Sequence, residues 1–191
     1  GVGRIGKLPR GTAENAGTYI HAALFAVLAL YKIGCEKEAT EQLLKLMPIS
    51  YEWVDKTPYV MQNAYCYNPE INVDGSALND WFTGSAAVMM KIMITNIFGI
   101  QPDHDLLKIA PARESFLKKA SVSLTIHGKK LRIQIEKTGN PSLALNGKVL
   151  ANNRIPYSEL QEEDLIEHPA FGEGKIIRVN LARQYYEIDF P

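Results

Sequence analysis

The segment that decides the fold is YIHAALFAVLALYKI, which runs from Tyr19 to Ile33. Only His21 and Lys32 in it are not apolar. It is too short to span a membrane, which takes about 20 apolar residues. A helix that is apolar all round is typically buried all round, so the segment predicts a helix enclosed in a core. Gly34 is a natural stop for that helix.

Amphipathic and apolar segments alternate beyond this helix. From Glu36 to Met47, one helical face carries Ala39, Leu43, Leu46 and Met47, and Pro48 ends the pattern. Residues 49–78 predict a long loop rich in Tyr, Asn and Pro. Ser85 to Phe98 is again apolar nearly all round. Such alternation suggests the concentric layers of a toroid of helical hairpins, although these helices are too few to close one.

The periodicity changes after Gly99 from helical to alternating. Residues 121–127 and 131–137 alternate apolar and polar positions, and Asn146-Gly147 is a strong two-residue hairpin signal. Residues 175–180 and 184–190 predict a last hairpin, while the polar segment 152–164 is interpreted as a linker. The pattern predicts an α+β, multi-domain chain with antiparallel strands in a β-sandwich or small β-barrel.

Composition and charge exclude some functions. The chain has 191 residues, of which 46% are hydrophobic and 22% charged, with 21 basic and 21 acidic side chains. A neutral chain lacks the electrostatic footprint of a nucleic-acid-binding protein. Cys35 and Cys66 form no metal or disulfide pattern and favour reduced thiols in a cytoplasmic protein. No signal peptide is visible, but the first residue is Gly1, so we expect the true N-terminus to lie upstream.

The first segment that can carry chemistry is GTAENAGTYIHA, from Gly11 to Ala22. It places the carboxylate of Glu14 and the imidazole of His21 around the start of the first apolar helix. A charged group entering an apolar layer is costly unless it is paired or faces a cavity. In the alternative interpretation, Glu14 caps the helix and His21 is a hydrogen-bonded core histidine.

The second segment is NDWFTGSAA, residues 79–87. Thr83 lies at the start of an apolar helix, where the N–H groups of Gly84, Ser85 and Ala86 and the helix dipole suit an anion. Trp81 offers a face on which a sugar can stack. The alternative is an ordinary threonine cap beside a core tryptophan.

The third segment is FGIQPDHD, residues 98–105, followed by LLKIAP. It predicts a helix stop, a turn and a strand. Asp103, His104 and Asp105 are adjacent in that turn, and three neighbouring side chains rarely converge on one metal ion. We therefore predict no metal site there.

Together the three segments resemble the C-terminal part of glycoside hydrolase family 94, the cellobiose, chitobiose and β-1,2-oligoglucan phosphorylases. The family has a Glu-Asn-Gly-Gly segment leading to His-Ala, then Trp-Leu-Thr-Gly-Thr-Ala, then Ile-Leu-Gly-Ile-Arg-Pro-Asp. Here ENAG with HA (14–17, 21–22), WFTGSA (81–86) and IFGIQPD (97–103) occur in that order. By eye, the resemblance covers roughly residues 4–140.

The resemblance implies specific roles. Glu14 would contact the acceptor sugar, with Trp81 also at the sugar, and His21, Thr83 and Gly84 would hold phosphate. The activity would be inverting phosphorolysis of a β-linked oligosaccharide to an α-sugar 1-phosphate, with inorganic phosphate as co-substrate and no other cofactor. The partners would be oligosaccharide and phosphate, without nucleic acid or membrane, and a second copy or an N-terminal portion would complete the assembly.

The resemblance also implies a domain division and a missing group. Residues 1–111 would be the last helices of an (α/α)6 barrel, residues 112–151 sandwich strands, and residues 152–191 a small β module or the end of the sandwich. The family's general acid is an aspartate upstream of the matched region, so this chain alone would contain no catalytic residue and would be inactive.

The chain departs from the family pattern at two positions of the first segment. Ala13 stands where the family often has lysine, and Ala16 replaces a glycine. Two alternative functions stay open. A hydrolase or transglycosylase on the same toroid would need a second carboxylate, for which Asp80 and Glu14 are the candidates. The other alternative is a non-catalytic carbohydrate-binding piece.

Overall fold

The structure, a computed structural model, describes residues 2–50, 60–79, 83–138 and 142–171. The predicted α+β class is confirmed, with helices before residue 98 and mostly strands after it. The chain divides into two compact units, residues 1–92 and 93–191. Among the described residues, no helix is long and apolar enough to cross a membrane.

Three α-helices lie in the described part of the first unit, and the first two form a hairpin. They are α1 (Ile20–Lys32), α2 (Glu36–Leu46) and α3 (Ser85–Ile92). Gly34 ends α1 as predicted, because its φ of 84° is the left-handed conformation that glycine adopts at helix ends. The Cys35 N–H then donates to the Leu30 carbonyl at 3.0 Å.

Helix α1 is buried on one face only. Ile20, Leu24, Val27 and Tyr31 face the core, whereas Phe25 is 55% exposed. The prediction that this apolar helix is buried all round is therefore wrong for the described chain. The reason is that α1 packs against α2, α3 and a short sheet, and these cover a single face.

Helix α2 has the predicted amphipathic pattern. Its buried residues are Ala39, Thr40, Leu43 and Leu46. Thr40 shares a 2.9 Å hydrogen bond between hydroxyls with Tyr31 of α1. A buried hydroxyl needs such a partner, so this bond lets two polar groups enter the α1–α2 contact.

A three-stranded antiparallel sheet crosses the region predicted as a long loop. Its strands are β1 (Thr18–Tyr19), β2 (Ala64–Tyr65) and β3 (Ala77–Leu78), in that spatial order. Tyr19 pairs with Ala64, and Ala64 pairs with Leu78. The loop prediction is thus wrong at these strands, which tie the segment before α1 to the segment before α3.

In the second unit, a π-helical segment, Met93–Ile97, precedes two separate sheets. The first sheet contains β4 (Ile100–Asp103), β5 (Leu106–Ile109) and β10 (Arg154–Pro156), with β5 in the centre. Because β10 pairs along β5 and Ile155 is fully buried, the interpretation of residues 152–164 as a linker is wrong.

In the described residues, the second sheet has five strands: β6 (Lys119–Ile126), β7 (Lys129–Thr138), β8 (Ala144–Leu145), β9 (Lys148–Val149) and β11 (Leu165–Phe171). Their order across the sheet is β6-β7-β11-β8-β9. The predicted β6–β7 hairpin and the β8–β9 hairpin at Asn146-Gly147 are confirmed. The purely antiparallel prediction is wrong, because β11 pairs with β7 in parallel. The predicted hairpin at 175–190 lies outside the described residues.

Candidate functional site

Glu14 lies in a compact turn that precedes the first strand. Two of the residues around it, Ala13 (φ 42°) and Ala16 (φ 70°), have left-handed backbones that residues other than glycine adopt only at a cost. The Gly11 N–H donates to the Asn15 carbonyl at 2.7 Å, and the Asn15 side-chain amide donates to the Leu8 carbonyl at 2.8 Å. The strained turn is therefore held from within.

The segment after β2 holds the same turn from outside. The Tyr67 N–H donates to the Gly11 carbonyl at 2.9 Å, and the Asn68 amide donates to the Arg10 carbonyl at 2.8 Å. The contact is so close that a Cβ at position 11 would lie 1.8 Å from the Tyr67 carbonyl oxygen. Glycine is therefore required at position 11.

The Glu14 carboxylate is paired but accessible. Its Oε1 lies 2.5 Å from Nη2 of Arg4, and its side chain is 51% exposed. Its own backbone N–H, and then the Arg4 guanidinium, lower the pKa of this carboxyl. The alternative in which Glu14 caps α1 is wrong, because the cap residue is Tyr19 and no side chain bonds to the helix start there.

His21 lies in the first turn of α1 and is half-buried. Its ring contacts the rings of Tyr19 and Phe25, with centroids 6.1 and 5.1 Å away. Within the part of the chain that the structure describes, neither imidazole nitrogen has a hydrogen-bond partner. The alternative of a hydrogen-bonded core histidine is therefore wrong.

The start of α3 lies directly against the His21 ring. A Cβ at Gly84 would be 2.6 Å from Cε1 and 2.7 Å from Nε2 of His21. These distances are shorter than any van der Waals contact, so only glycine allows the imidazole to lie there. The structure thus brings His21 and Gly84 together, although they are far apart in sequence.

Thr83 and Ser85 organise this helix start. The Thr83 hydroxyl accepts from the Ser85 N–H at 3.2 Å and lies 2.7 Å from the Ser85 hydroxyl, which is fully buried. The Ser85 N–H is therefore not available to an anion, contrary to the sequence prediction. Helix geometry leaves the N–H groups of Ala86 and Ala87 without a carbonyl partner, and both residues are exposed. Trp81 and Asp80 lie outside the described residues.

Gln62 is not among the residues that the sequence motifs single out. This side chain is fully buried, and both its amide nitrogen and its amide oxygen lack a hydrogen-bond partner among the described residues. It adjoins the start of α1, since the carbonyl of the next residue, Asn63, accepts from the Ile20 N–H at 2.9 Å. A buried amide without partners is energetically costly, so this arrangement is unusual. No sequence signal distinguishes it within a polar loop.

Comparison with known proteins shows the family to which this chain belongs. Residues 1–99 match the catalytic domain of the glycosyl hydrolase 94 superfamily, so the chain is related to glycosyl hydrolases. More narrowly, it belongs to the glycosyl hydrolase 94 superfamily, as the resemblance implied.

Two curated relatives span most of this chain. The cyclic β-(1,2)-glucan synthase NdvB of Rhizobium meliloti is 30% identical over 159 residues, 78% of this chain. The cellobionic acid phosphorylase of Neurospora crassa is 24% identical over 143 residues, 71% of this chain. The matched regions are only 6% of the synthase and 18% of the phosphorylase.

One similar solved structure is a family GH92 α-mannosidase from Bacteroides thetaiotaomicron in complex with mannoimidazole. It is 14% identical, with a TM-score of 0.35, over 83% of this chain and 18% of the mannosidase. A similarity of this size carries no argument about fold or function.

Proposed function

We propose that this chain is part of an inverting β-glycoside phosphorylase, in which phosphate cleaves a β-linked oligosaccharide to give an α-sugar 1-phosphate. The observation that carries the proposal is the contact between the His21 ring and Gly84 at the start of α3. Family membership supports the class of chemistry, and one relative is named a cellobionic acid phosphorylase. In this proposal α1, α2 and α3 are part of an (α/α)6 toroid.

The phosphate would be held by groups from three segments. His21 supplies an imidazole with no other hydrogen-bond partner in the described chain, and the start of α3 supplies the Gly84 N–H and the positive end of the helix dipole. If Ser85 donates its proton to Thr83, the Thr83 hydroxyl keeps its own proton for the phosphate. We add Gln62, whose buried amide would gain a partner.

The reaction then depends mainly on how the phosphate is positioned relative to the sugar. Phosphate oxygen attacks the anomeric carbon from the face opposite the leaving sugar, and an acid protonates the departing oxygen, as in an inverting glycosidase with phosphate in place of water. Fixed donors hold the dianion where positive charge develops on the sugar. By resemblance the acid is an aspartate outside these 191 residues, so we expect the isolated chain to be inactive.

Glu14 and Trp81 would contact the acceptor sugar. The observation that supports Glu14 is its exposed carboxylate, whose pKa is lowered, on a strained turn. Strain of this kind is retained where a function requires the geometry.

The test is an assay of the complete protein with β-linked disaccharides, with and without phosphate. We expect cleavage only with phosphate, and a sugar 1-phosphate with α configuration by NMR. Titration calorimetry should show phosphate binding. Release of free sugars at the same rate without phosphate would contradict the proposal and favour a hydrolase, whose second carboxylate would then be sought at Asp80 or Glu14. No turnover together with oligosaccharide binding would favour the non-catalytic alternative.

A further inference from the structure

The contact between Arg4 and Glu14 suggests a role for Arg4. Arg4 belongs to the 3-10 helix Gly3–Lys7, and its Nη2 is bonded to Glu14 Oε1. The two side chains are 78% and 51% exposed. An ion pair this exposed contributes little to folding, because water screens it and two long side chains lose freedom.

The pair leaves complementary groups open. An arginine has five N–H donors and a carboxylate two oxygens, and the pair uses one of each. The remaining Arg4 donors therefore lie beside the Glu14 carboxylate, which also interacts with its own backbone N–H, on an accessible surface. Neighbouring hydroxyls of a sugar ring can both donate and accept, so they match a donor placed beside an acceptor. The pair has no net charge, which fits a neutral ligand better than an anion.

We propose that Arg4 is a specificity-determining residue of the acceptor site, where it orients the Glu14 carboxylate and donates to hydroxyls of a neutral pyranose. This rests on the proposed function, in which Glu14 contacts the acceptor. The residue directly before Glu14 is the uncharged Ala13, so the cation beside the carboxylate comes from Arg4. Among the described residues, Arg4 is the one charged side chain that lowers the pKa of Glu14.

The experiment measures the synthetic direction in the complete protein, as phosphate released from α-D-glucose 1-phosphate. The neutral acceptors are D-glucose, D-xylose, N-acetyl-D-glucosamine and cellobiose, and D-gluconate is the anionic comparison. For the best neutral acceptor, Arg4→Met should raise KM about tenfold, the size of one lost charge-assisted hydrogen bond. The KM for glucose 1-phosphate and the kcat should stay within about twofold.

The pH profile separates positioning from a merely structural role. Without the guanidinium, the Glu14 carboxyl loses a group that lowers its pKa, so it takes up a proton at higher pH. The acidic limb of kcat/KM for the acceptor should therefore move to higher pH in Arg4→Met. Arg4→Lys should restore the limb and part of the KM, and Arg4→Gln provides a second neutral variant if Arg4→Met folds poorly. Lys7→Met removes a cation from the same exposed helix and should change nothing.

The outcomes are distinguishable. If the wild-type protein neither releases phosphate with any acceptor nor cleaves any β-linked disaccharide with phosphate, the proposed function fails. If the wild type is active but the neutral variants keep its acceptor KM and pH limb, the role of Arg4 is refuted. A wild type that prefers D-gluconate to every neutral sugar would overturn the assignment of a neutral ligand.

Discussion

The imidazole of His21 occupies the space that a side chain at position 84 would need, since a Cβ there would lie 2.6 Å from its Cε1. Gly84→Ala should therefore displace the ring and impair phosphate use. We expect an effect similar to that of His21→Ala, a roughly ten- to hundredfold rise in the KM for phosphate, from the loss of about 1.5–3 kcal/mol. The KM for phosphate, measured in phosphorolysis by the complete protein, checks both variants.

The double variant is the decisive control. If both changes act through the same ring, His21→Ala with Gly84→Ala should be no worse than either change alone, because nothing remains to be displaced. Fully additive losses would show that the two residues act separately.

Glu14→Gln should affect the sugar rather than phosphate. The amide keeps the shape of the side chain but loses the charge that pairs with Arg4. We expect the KM for the acceptor sugar to rise more than the KM for phosphate, the reverse of His21→Ala. Initial rates with each substrate varied in turn measure the difference. A larger effect on phosphate would contradict the division of the site.

Gln62→Met should separate stability from function. Methionine has a similar shape, and the change removes two buried polar atoms that lack partners. We expect the free energy of unfolding of the chain to rise by about 1–2 kcal/mol in denaturant titrations without phosphate. Phosphate binding to the complete protein should weaken.

Asn68→Leu is the matched control for that change. Asn68 is also buried, but its amide donates to Arg10 and accepts from the Glu70 N–H. Its replacement should lower the free energy of unfolding. If Gln62→Met is as destabilising as this control, the amide of Gln62 has an internal partner and is not a ligand.

Ala16→Gly should stabilise the chain. Ala16 has a φ of 70°, a conformation that costs alanine about 1 kcal/mol and glycine almost nothing. The added freedom of the unfolded chain offsets part of this gain. Ala26→Gly, at an exposed position inside α1, should instead destabilise by about 0.5–1 kcal/mol. Opposite shifts in the midpoint of thermal unfolding check the pair.

Gly11→Ala tests how tightly the Glu14 turn is held. Gly11 and Gly128 have similar φ values of 73° and 77°, but a Cβ meets the Tyr67 carbonyl at position 11 and nothing within 4 Å at position 128. Gly128→Ala should cost about 1 kcal/mol for the backbone alone. Gly11→Ala should cost clearly more in the same unfolding titration, and equal losses would contradict the close contact.

The sequence predicted the elements that local pattern determines. The bounds of α1 and α2 follow closely from periodicity and glycine positions. The β8–β9 hairpin follows from its two turn residues, and the β6–β7 hairpin follows from alternation, although its turn is shorter than the pattern predicts. The strands β1, β2 and β3 have two residues each, too few to show a period, and they exist because distant segments pair. The exposure of Phe25 depends on how many elements pack around α1, and the number of these elements cannot be predicted from hydrophobicity alone.

The candidate site was predictable only in part, because local motifs name single residues but not their contacts with distant ones. His21 and Gly84 were proposed from motif resemblance. Their proximity arises from tertiary packing, which the spacing of residues in the sequence does not show. Gln62 was missed because a glutamine in a polar loop is normally solvated, and only its complete burial makes it unusual. The partner of Glu14 was missed because Arg4 lies ten residues away outside any motif.

The parallel pairing of β11 with β7 has a consequence for the order of folding. β6 and β7 are joined by a two-residue turn and can pair as soon as both are made, a process of microseconds for an isolated hairpin. β11 cannot join β7 until the chain between them, which includes the β8–β9 hairpin and β10, has turned back across the sheet. Long-range closure of this kind is slow. During synthesis, therefore, the β7 edge stays open until residue 171 has left the ribosome, and an open strand edge can pair with the wrong strand.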